Sequence, residues 1–213
     1  MSGHENNWIA LFIAVPMATA VLTTLLRGRI LIQRVLGVVA LVSLAAMGVT
    51  LCATLPAETN LLFSPLGSWS PPFGIAIVFD GLSGLLLTVV AFVALACLID
   101  SFSSLPRRLE MGWFHPLFHL LVMGVNFSFL TGDLFNLFVA FEIMLMSSYA
   151  LMTLGGGADQ VKQAYKYVLL NLMGSTIFVL AAGLMYGMMG TLNCADLARL
   201  VHESSVTGEP LPS

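Results

Sequence analysis

The chain has 213 residues, of which 58% are hydrophobic and only 9% are charged, and its net charge is −3 at neutral pH. Soluble domains carry about 25% charged residues, so this composition excludes a water-soluble globular protein and indicates one that lies in a lipid bilayer. Three isolated cysteines without metal-binding spacing argue against a zinc, haem or iron–sulfur centre, and no cofactor is expected. The sequence has no nucleotide-binding glycine motif and no basic patch, so no nucleic-acid partner is expected.

Six apolar stretches are long enough to cross the hydrocarbon core, which takes about 17–25 residues of helix. In chain order they are Trp8–Leu26, Val35–Leu55, Leu82–Ile99, Trp113–Leu130, Leu134–Leu154 and Tyr167–Met189. The first stretch lacks a basic N-terminal region and a small-residue cleavage site, so it is interpreted as a retained helix and not as a signal peptide.

Basic residues set the predicted orientation. Seven of the eight lie in the segments after spans one, three and five: Arg27, Arg29, Arg34, Arg107, Arg108, Lys162 and Lys166. By the positive-inside rule these segments face the cytoplasm, and both termini then face outward. The outward segment 56–80 has no basic residue and is rich in proline and glycine, which predicts a strand-poor or hairpin-like loop over the helices.

Spans four and five are separated by Thr131-Gly132-Asp133 alone, so they are predicted to form an antiparallel hairpin. Gly132 gives the turn its conformational freedom. Asp133 is predicted to accept backbone N–H groups at the start of span five. A short interfacial helix is predicted after Met189, where Asp196 and Arg199 are three residues apart.

Glu142 lies near the middle of span five and is the leading candidate for chemistry. A carboxylate at the bilayer centre costs about 2.5–3.5 kcal/mol, while the nine Leu, Ile, Phe and Val residues around it contribute about 3–5 kcal/mol toward insertion. Intramembrane carboxyls recur in proton relays, which predicts proton translocation by Glu142. The alternative is a structural glutamate satisfied by a neighbouring Ser, Tyr or Lys.

Three further residues are weaker candidates for proton movement. Lys166 opens span six, where a snorkelling anchor is the alternative interpretation. His119 and Asn126 share one face of span four with Asp133, and this stripe could line a water-filled path or pack against other helices. His115 and His119 have the spacing of a metal pair, but the sequence offers no third ligand, so no metal site is expected.

A resemblance to a known family rests on three stretches: GVNFSFLTGDLFNLFVAFEIMLMSSYALM, KYVLLNLMGSTIFVLAAGLMYGMMGTLNCADLA and FDGLSGLLL at Phe79–Leu87. They resemble the D subunit of the Mrp-type multisubunit Na⁺/H⁺ antiporters, a relative of the antiporter-like membrane subunits of respiratory complex I. The resemblance covers Phe79 to Leu200. The TGDLFNLFVAFE segment is its most specific part.

The resemblance implies an all-α integral membrane fold with about fourteen helices, in which two inverted five-helix repeats follow three N-terminal helices. Residues 1–112 would be those three helices with outward loop 56–80, and residues 113–213 would begin the first repeat. Glu142 would be the family's essential fifth-helix glutamate, which pairs with a lysine on helix seven. We expect the chain to end before that helix, as part of a truncated or split protein.

The resemblance further implies an ion-transport subunit, not an enzyme. It would exchange protons for a monovalent cation such as Na⁺, together with other Mrp-type subunits in the bacterial plasma membrane. Two alternatives remain at this point. One is a proton-pumping subunit of a respiratory NADH:quinone oxidoreductase or an energy-converting hydrogenase. The other is a truncated scaffold that transports nothing.

Overall fold

The structure is a computed structural model that describes residues 4–5, 7–55, 61–66 and 74–207. Six helices in this part are long and apolar enough to cross a membrane, which confirms the predicted number of spans. They are Asn7–Leu25, Ile30–Ala53, Gly81–Ser104, Arg107–Leu130, Leu134–Thr153 and Ala158–Met189. Their main α-helices are α1 (Leu11–Leu25), α2 (Ile30–Ala53), α3 (Gly81–Ser104), α5 (His115–Leu130), α6 (Leu134–Thr153) and α7 (Ala158–Met189). A 3₁₀ turn, Asn7–Ala10, precedes α1.

Two shorter helices are also present in the described chain. The short helix α4 (Arg107–Leu109) leads into a π-helical turn, Glu110–Phe114, which continues into α5. The predicted helix after Met189 is present as α8 (Cys194–Thr207). Helix α7 begins at Ala158 and not at the predicted Tyr167, because the polar residues before Tyr167 are good helix formers and extend the helix beyond its apolar part.

A small β-sheet corrects the all-α prediction. It contains β1 (His4–Glu5), β2 (Leu61–Leu66) and β3 (Ile75–Asp80), with β1 parallel and β3 antiparallel to β2. The hairpin of β2 and β3 confirms the hairpin-like reading of segment 56–80 where that segment is described; residues 56–60 and 67–73 lie outside the described residues. The sequence pattern did not predict these strands as a sheet for two reasons. Strand β1 pairs with a strand that is distant in the sequence, and β2 and β3 are separated by a proline-rich loop.

The turn between α5 and α6 extends this sheet. Gly132 donates its N–H to the Ala76 carbonyl at 3.0 Å, and the Cys194 N–H donates to the Gly132 carbonyl at 2.9 Å. The predicted turn is therefore held between β3 and the segment that leads into α8. A Cβ at position 132 would lie 3.0 Å from Val78 Cγ2, so a larger residue there would require the Val78 side chain to shift.

The membrane-spanning helices differ in how much of their surface is buried by the rest of the described chain. Helix α5 lies between α1 and α6, α3 packs along α2, and the main contacts of α7 within the described chain are with α6. Large buried side chains such as Phe12, Leu41, Phe79 and Leu98 belong to a core that joins α1, α2, α3 and α5 with strand β3. Helix α7 is almost entirely exposed outside its contact with α6.

Candidate functional site

The site is built on the hairpin of α5 and α6. The Asp133 side chain caps α6 as predicted, accepting a hydrogen bond from the Asn136 N–H at 3.0 Å. The two helices approach closely at Gly124, where a Cβ would lie 2.7 Å from the Met144 backbone nitrogen. This close approach fixes α6 against α5 within one turn of Glu142.

Glu142 meets α7 near the middle of both helices. The Ser175 hydroxyl donates to Glu142 Oε1 at 2.6 Å, a length typical of a hydroxyl bound to a charged carboxylate. The Glu142 side chain is half-buried. Within residues 74–207, the structure pairs no lysine or arginine with this carboxylate, so its one hydrogen-bond partner there is neutral.

Further polar side chains lie along the α6–α7 interface between Glu142 and the start of α7. Asn171 is one helical turn from Ser175, and its Nδ2 atom is buried without a hydrogen bond among the described residues. Tyr149, two turns from Glu142 on α6, meets Tyr167 of α7 edge-to-face, with ring centroids 5.3 Å apart. We call Glu142, Ser175, Asn171, Tyr149 and Tyr167 the polar lane.

Aromatic rings close the other side of Glu142, toward the sheet. Phe138, one turn before Glu142 on α6, stacks on Phe178 of α7 with ring centroids 6.3 Å apart and an interplanar angle of 13°. Phe135 packs on Phe138 from the next turn. The interface of α6 and α7 is therefore apolar on the sheet side of Glu142 and polar on the opposite side.

Lys166 does not join Glu142. Its side chain is exposed, and it takes part in none of the ion pairs found in the described chain. It lies at the end of the polar lane nearest the start of α7, next to Tyr167. Its predicted part in proton movement stays a prediction.

The predicted stripe on α5 faces away from α6. His115 and His119 are fully buried, and His119 packs against α2 so closely that a Cβ on Gly37 would lie 2.9 Å from His119 Nε2. None of the four ring nitrogens has a hydrogen-bond partner among the described residues. Asn126 is also buried and donates through Nδ2 to the Phe12 carbonyl of α1 at 2.9 Å.

A second buried carboxylate was not foreseen from the sequence. Glu110 is 1% exposed and accepts two hydrogen bonds of 2.6 Å, from Arg34 Nε and Arg34 Nη2. Arg34 also donates to the Phe102 carbonyl at 3.1 Å, and His115 Nε2 lies 3.4 Å from Glu110 Oε1. Sequence reasoning assigned Arg34 to the positive-inside pattern alone, and no spacing rule connects it with a residue 76 positions away.

The chain is similar in sequence and fold to known membrane proteins. Residues 131–209 match the family described as NADH:quinone oxidoreductase/Mrp antiporter, TM. Over 95% of its length the chain is 36% identical to the D subunit of the Na⁺/H⁺ antiporter of Alkalihalophilus pseudofirmus, and it spans 41% of that protein. The chain thus covers about two fifths of this curated relative's length.

Two solved structures share the fold. A chain of the membrane-bound sulfane sulfur reductase, an archaeal respiratory membrane complex, superposes with a TM-score of 0.83 at 28% identity, over 92% of this chain and 40% of that one. A chain of the Mrp complex from a Dietzia species superposes with a TM-score of 0.79 at 31% identity, over 87% of this chain and 35% of that one.

Proposed function

We propose that this chain, which is similar over nearly its whole length to the D subunit of a Na⁺/H⁺ antiporter, is a membrane component of a multisubunit monovalent cation/proton antiporter of the Mrp type. It is then an ion-transport subunit and not an enzyme by itself. Its partners are the other subunits of such a complex, protons and a cation such as Na⁺. The bacterial plasma membrane is its proposed location.

The observation that carries the proposal is the hydrogen bond between Glu142 and Ser175. It gives a carboxyl group deep in a membrane-spanning helix a neutral partner. A hydroxyl can donate to a charged carboxylate and accept from a protonated one, so this partner is compatible with a carboxyl group that exchanges a proton. Glu142 is therefore the proposed proton-binding residue. The secondary candidates are Lys166, at the end of the polar lane nearest the start of α7, and His119 and Asn126 on α5.

The wider architecture belongs to the same proposal. The basic segments face the cytoplasm, so both ends of the chain face outward. Residues 1–112, with outward segment 56–80, supply three N-terminal helices, and residues 113–213 begin the first of two inverted repeats in a protein of about fourteen helices. The similarity to about two fifths of the solved Mrp chain and of the curated relative supports this arrangement.

A second candidate function is a proton-translocating subunit of a respiratory redox complex. The observation in its favour is the superposition on a chain of the archaeal sulfane sulfur reductase complex, which is as good as that on the Mrp chain. In that setting the same carboxyl group would move protons under control of electron transfer in other subunits.

One experiment separates the two candidates. Everted membrane vesicles that contain the assembled complex are energised, and a fluorescent pH probe reports proton movement after addition of Na⁺ or K⁺. An antiporter releases the proton gradient on cation addition without any electron donor. A redox-driven complex would instead build a gradient when a donor is supplied and would not respond to the cations.

A further inference from the structure

We propose that four exposed arginines at one end of the membrane-spanning helices bind the phosphate group of an anionic phospholipid. The arginines are Arg27, Arg29, Arg107 and Arg108, and the ring of Trp113 contacts the first of them. We call these five residues the arginine rim. The inference goes beyond the proposed function, because it concerns a lipid ligand and assigns the rim no part in ion transport.

The rim is assembled from two segments that are distant in the sequence. It combines the arginines of the turn between α1 and α2 with those of the segment between α3 and α5. Two contacts join these segments: the Arg27 guanidinium lies 4.0 Å from the centre of the Trp113 ring, and Arg34 binds Glu110. The sequence has no run of more than two basic residues, so only the tertiary structure brings the four charges to the same end of the helices.

The guanidinium groups of the rim are not neutralised by the described chain. Each of the four side chains is exposed, and none takes part in an ion pair among the described residues. The carboxylate in these segments, Glu110, is buried and bound by Arg34. Arg199 on α8 differs, because Asp196 and Glu203 bind its guanidinium at 3.1 and 3.0 Å. The rim therefore offers positive charge to an anionic ligand.

The chemistry of the rim fits a phospholipid headgroup at the boundary of the bilayer. A guanidinium offers two parallel N–H donors to the oxygens of a phosphate. Arg27 lies in a tight turn, in which the Arg29 N–H donates to the Leu26 carbonyl at 3.1 Å and Gly28 has a φ of +91°. Trp113 beside it is 45% exposed, and tryptophan is typical of the level of the lipid headgroups. Basic clusters between membrane-spanning helices bind anionic headgroups.

The test measures where and how tightly the purified complex binds an anionic lipid. A photoactivatable phosphatidylglycerol is titrated onto the complex in neutral detergent, and mass spectrometry locates and quantifies its cross-link on this chain. In the wild type, the cross-link should lie within residues 26–29 or 105–114, and phosphatidylglycerol should compete for it whereas phosphatidylcholine should not. In Arg27→Gln/Arg107→Gln, the half-saturation concentration should rise about thirtyfold, because each arginine near the surface contributes about fivefold.

One variant and one condition serve as controls. Arg199→Gln removes an arginine that two carboxylates already neutralise, and it should bind the lipid as the wild type does. If the double variant assembles poorly, the wild-type complex is titrated in about 0.05 M and in about 0.5 M choline chloride. Its half-saturation concentration should rise in the higher salt, because salt screens exposed charges.

An unchanged half-saturation concentration in the double variant would overturn the inference. So would an equal loss in Arg199→Gln, equal competition by phosphatidylcholine, or a wild-type titration that does not respond to salt. A double variant that loses another subunit of the complex but still binds the lipid would show that the rim contacts a protein instead. Each of these outcomes leaves the proposed function of Glu142 intact.

Discussion

Two glutamates of this protein lie between packed helices, and their partners differ. Glu110 is fully buried at the start of the fourth span and receives two hydrogen bonds from the guanidinium of Arg34. Glu142 is half-buried in the middle of the fifth span and receives one hydrogen bond from the hydroxyl of Ser175. The first group is fixed by a full opposite charge. The second has a neutral partner and apolar rings on one side.

The two environments favour different roles. That of Glu110 favours a permanent charge that holds helices together, and Glu142 is the residue proposed to exchange a proton. Protonating Glu110 would cost the Arg34 guanidinium, which is 31% exposed, its counter-ion and would weaken two short charge-assisted hydrogen bonds. Protonating Glu142 removes a charge and leaves a hydroxyl that can reverse its role from donor to acceptor. The same type of side chain therefore joins α2 to the start of α5 in one place, and in the other it is the residue proposed to exchange a proton.

The largest effect expected from this comparison is that of Glu142→Gln. The amide preserves size and hydrogen bonding but cannot exchange a proton. Cation-driven proton movement should fall about 1000-fold, within the range for loss of a proton-transfer group. The pH-probe assay in vesicles measures it, with complex content checked by immunoblot. Glu203→Gln, on exposed helix α8, is the matched control and should transport normally. Normal transport by Glu142→Gln would remove the distinction between the two carboxylates.

Arg34→Met should act on stability and not on transport chemistry. It leaves Glu110 buried without a counter-ion, which costs about 3 kcal/mol or more. The thermal unfolding midpoint of the purified complex should fall, with less complex in the membrane. The double variant Arg34→Met/Glu110→Leu removes both charges and should recover most of the loss. A double variant no more stable than the single one would show that the pair is not coupled.

Gly124→Ala tests the close approach that holds α6, and with it Glu142, against α5. The added methyl would meet the Met144 backbone at 2.7–2.9 Å, so a helix must shift. We expect a cost of about 2 kcal/mol in thermal unfolding, typical of overpacking. Gly81→Ala is the control, because no atom lies within 4 Å of the added group there. Equal effects of the two substitutions would contradict the close packing.

Lys166→Gln should have the smallest effect. The exposed ammonium makes no ion pair with Glu142 in the described structure, so its removal should change the transport rate less than about threefold. Rates measured in the same vesicles at several pH values provide the check. A loss comparable to that of Glu142→Gln would place Lys166 directly in the proton path.

Much of this fold could be predicted because its signals are local. Apolar length identified the six spans, and the three polar residues at 131–133 identified the hairpin together with the Asp133 cap. Glu142 stood out as a charge in an apolar run. The pairing of β1 with β2 and that of Arg34 with Glu110 did not stand out, because each joins segments that are distant in sequence. Glu110 itself follows two arginines in a short segment that looks like an ordinary inner loop.

By itself, the sequence determined which segments cross the membrane, where they turn and which of them contains a carboxyl group near its middle. Only the tertiary structure decided what each polar group meets. It turned His119 of α5 toward Gly37 of α2, and it brought Ser175 to Glu142. The reason is geometric: helix length and polarity follow from composition, whereas the rotation and relative height of packed helices depend on side chains from several segments at once.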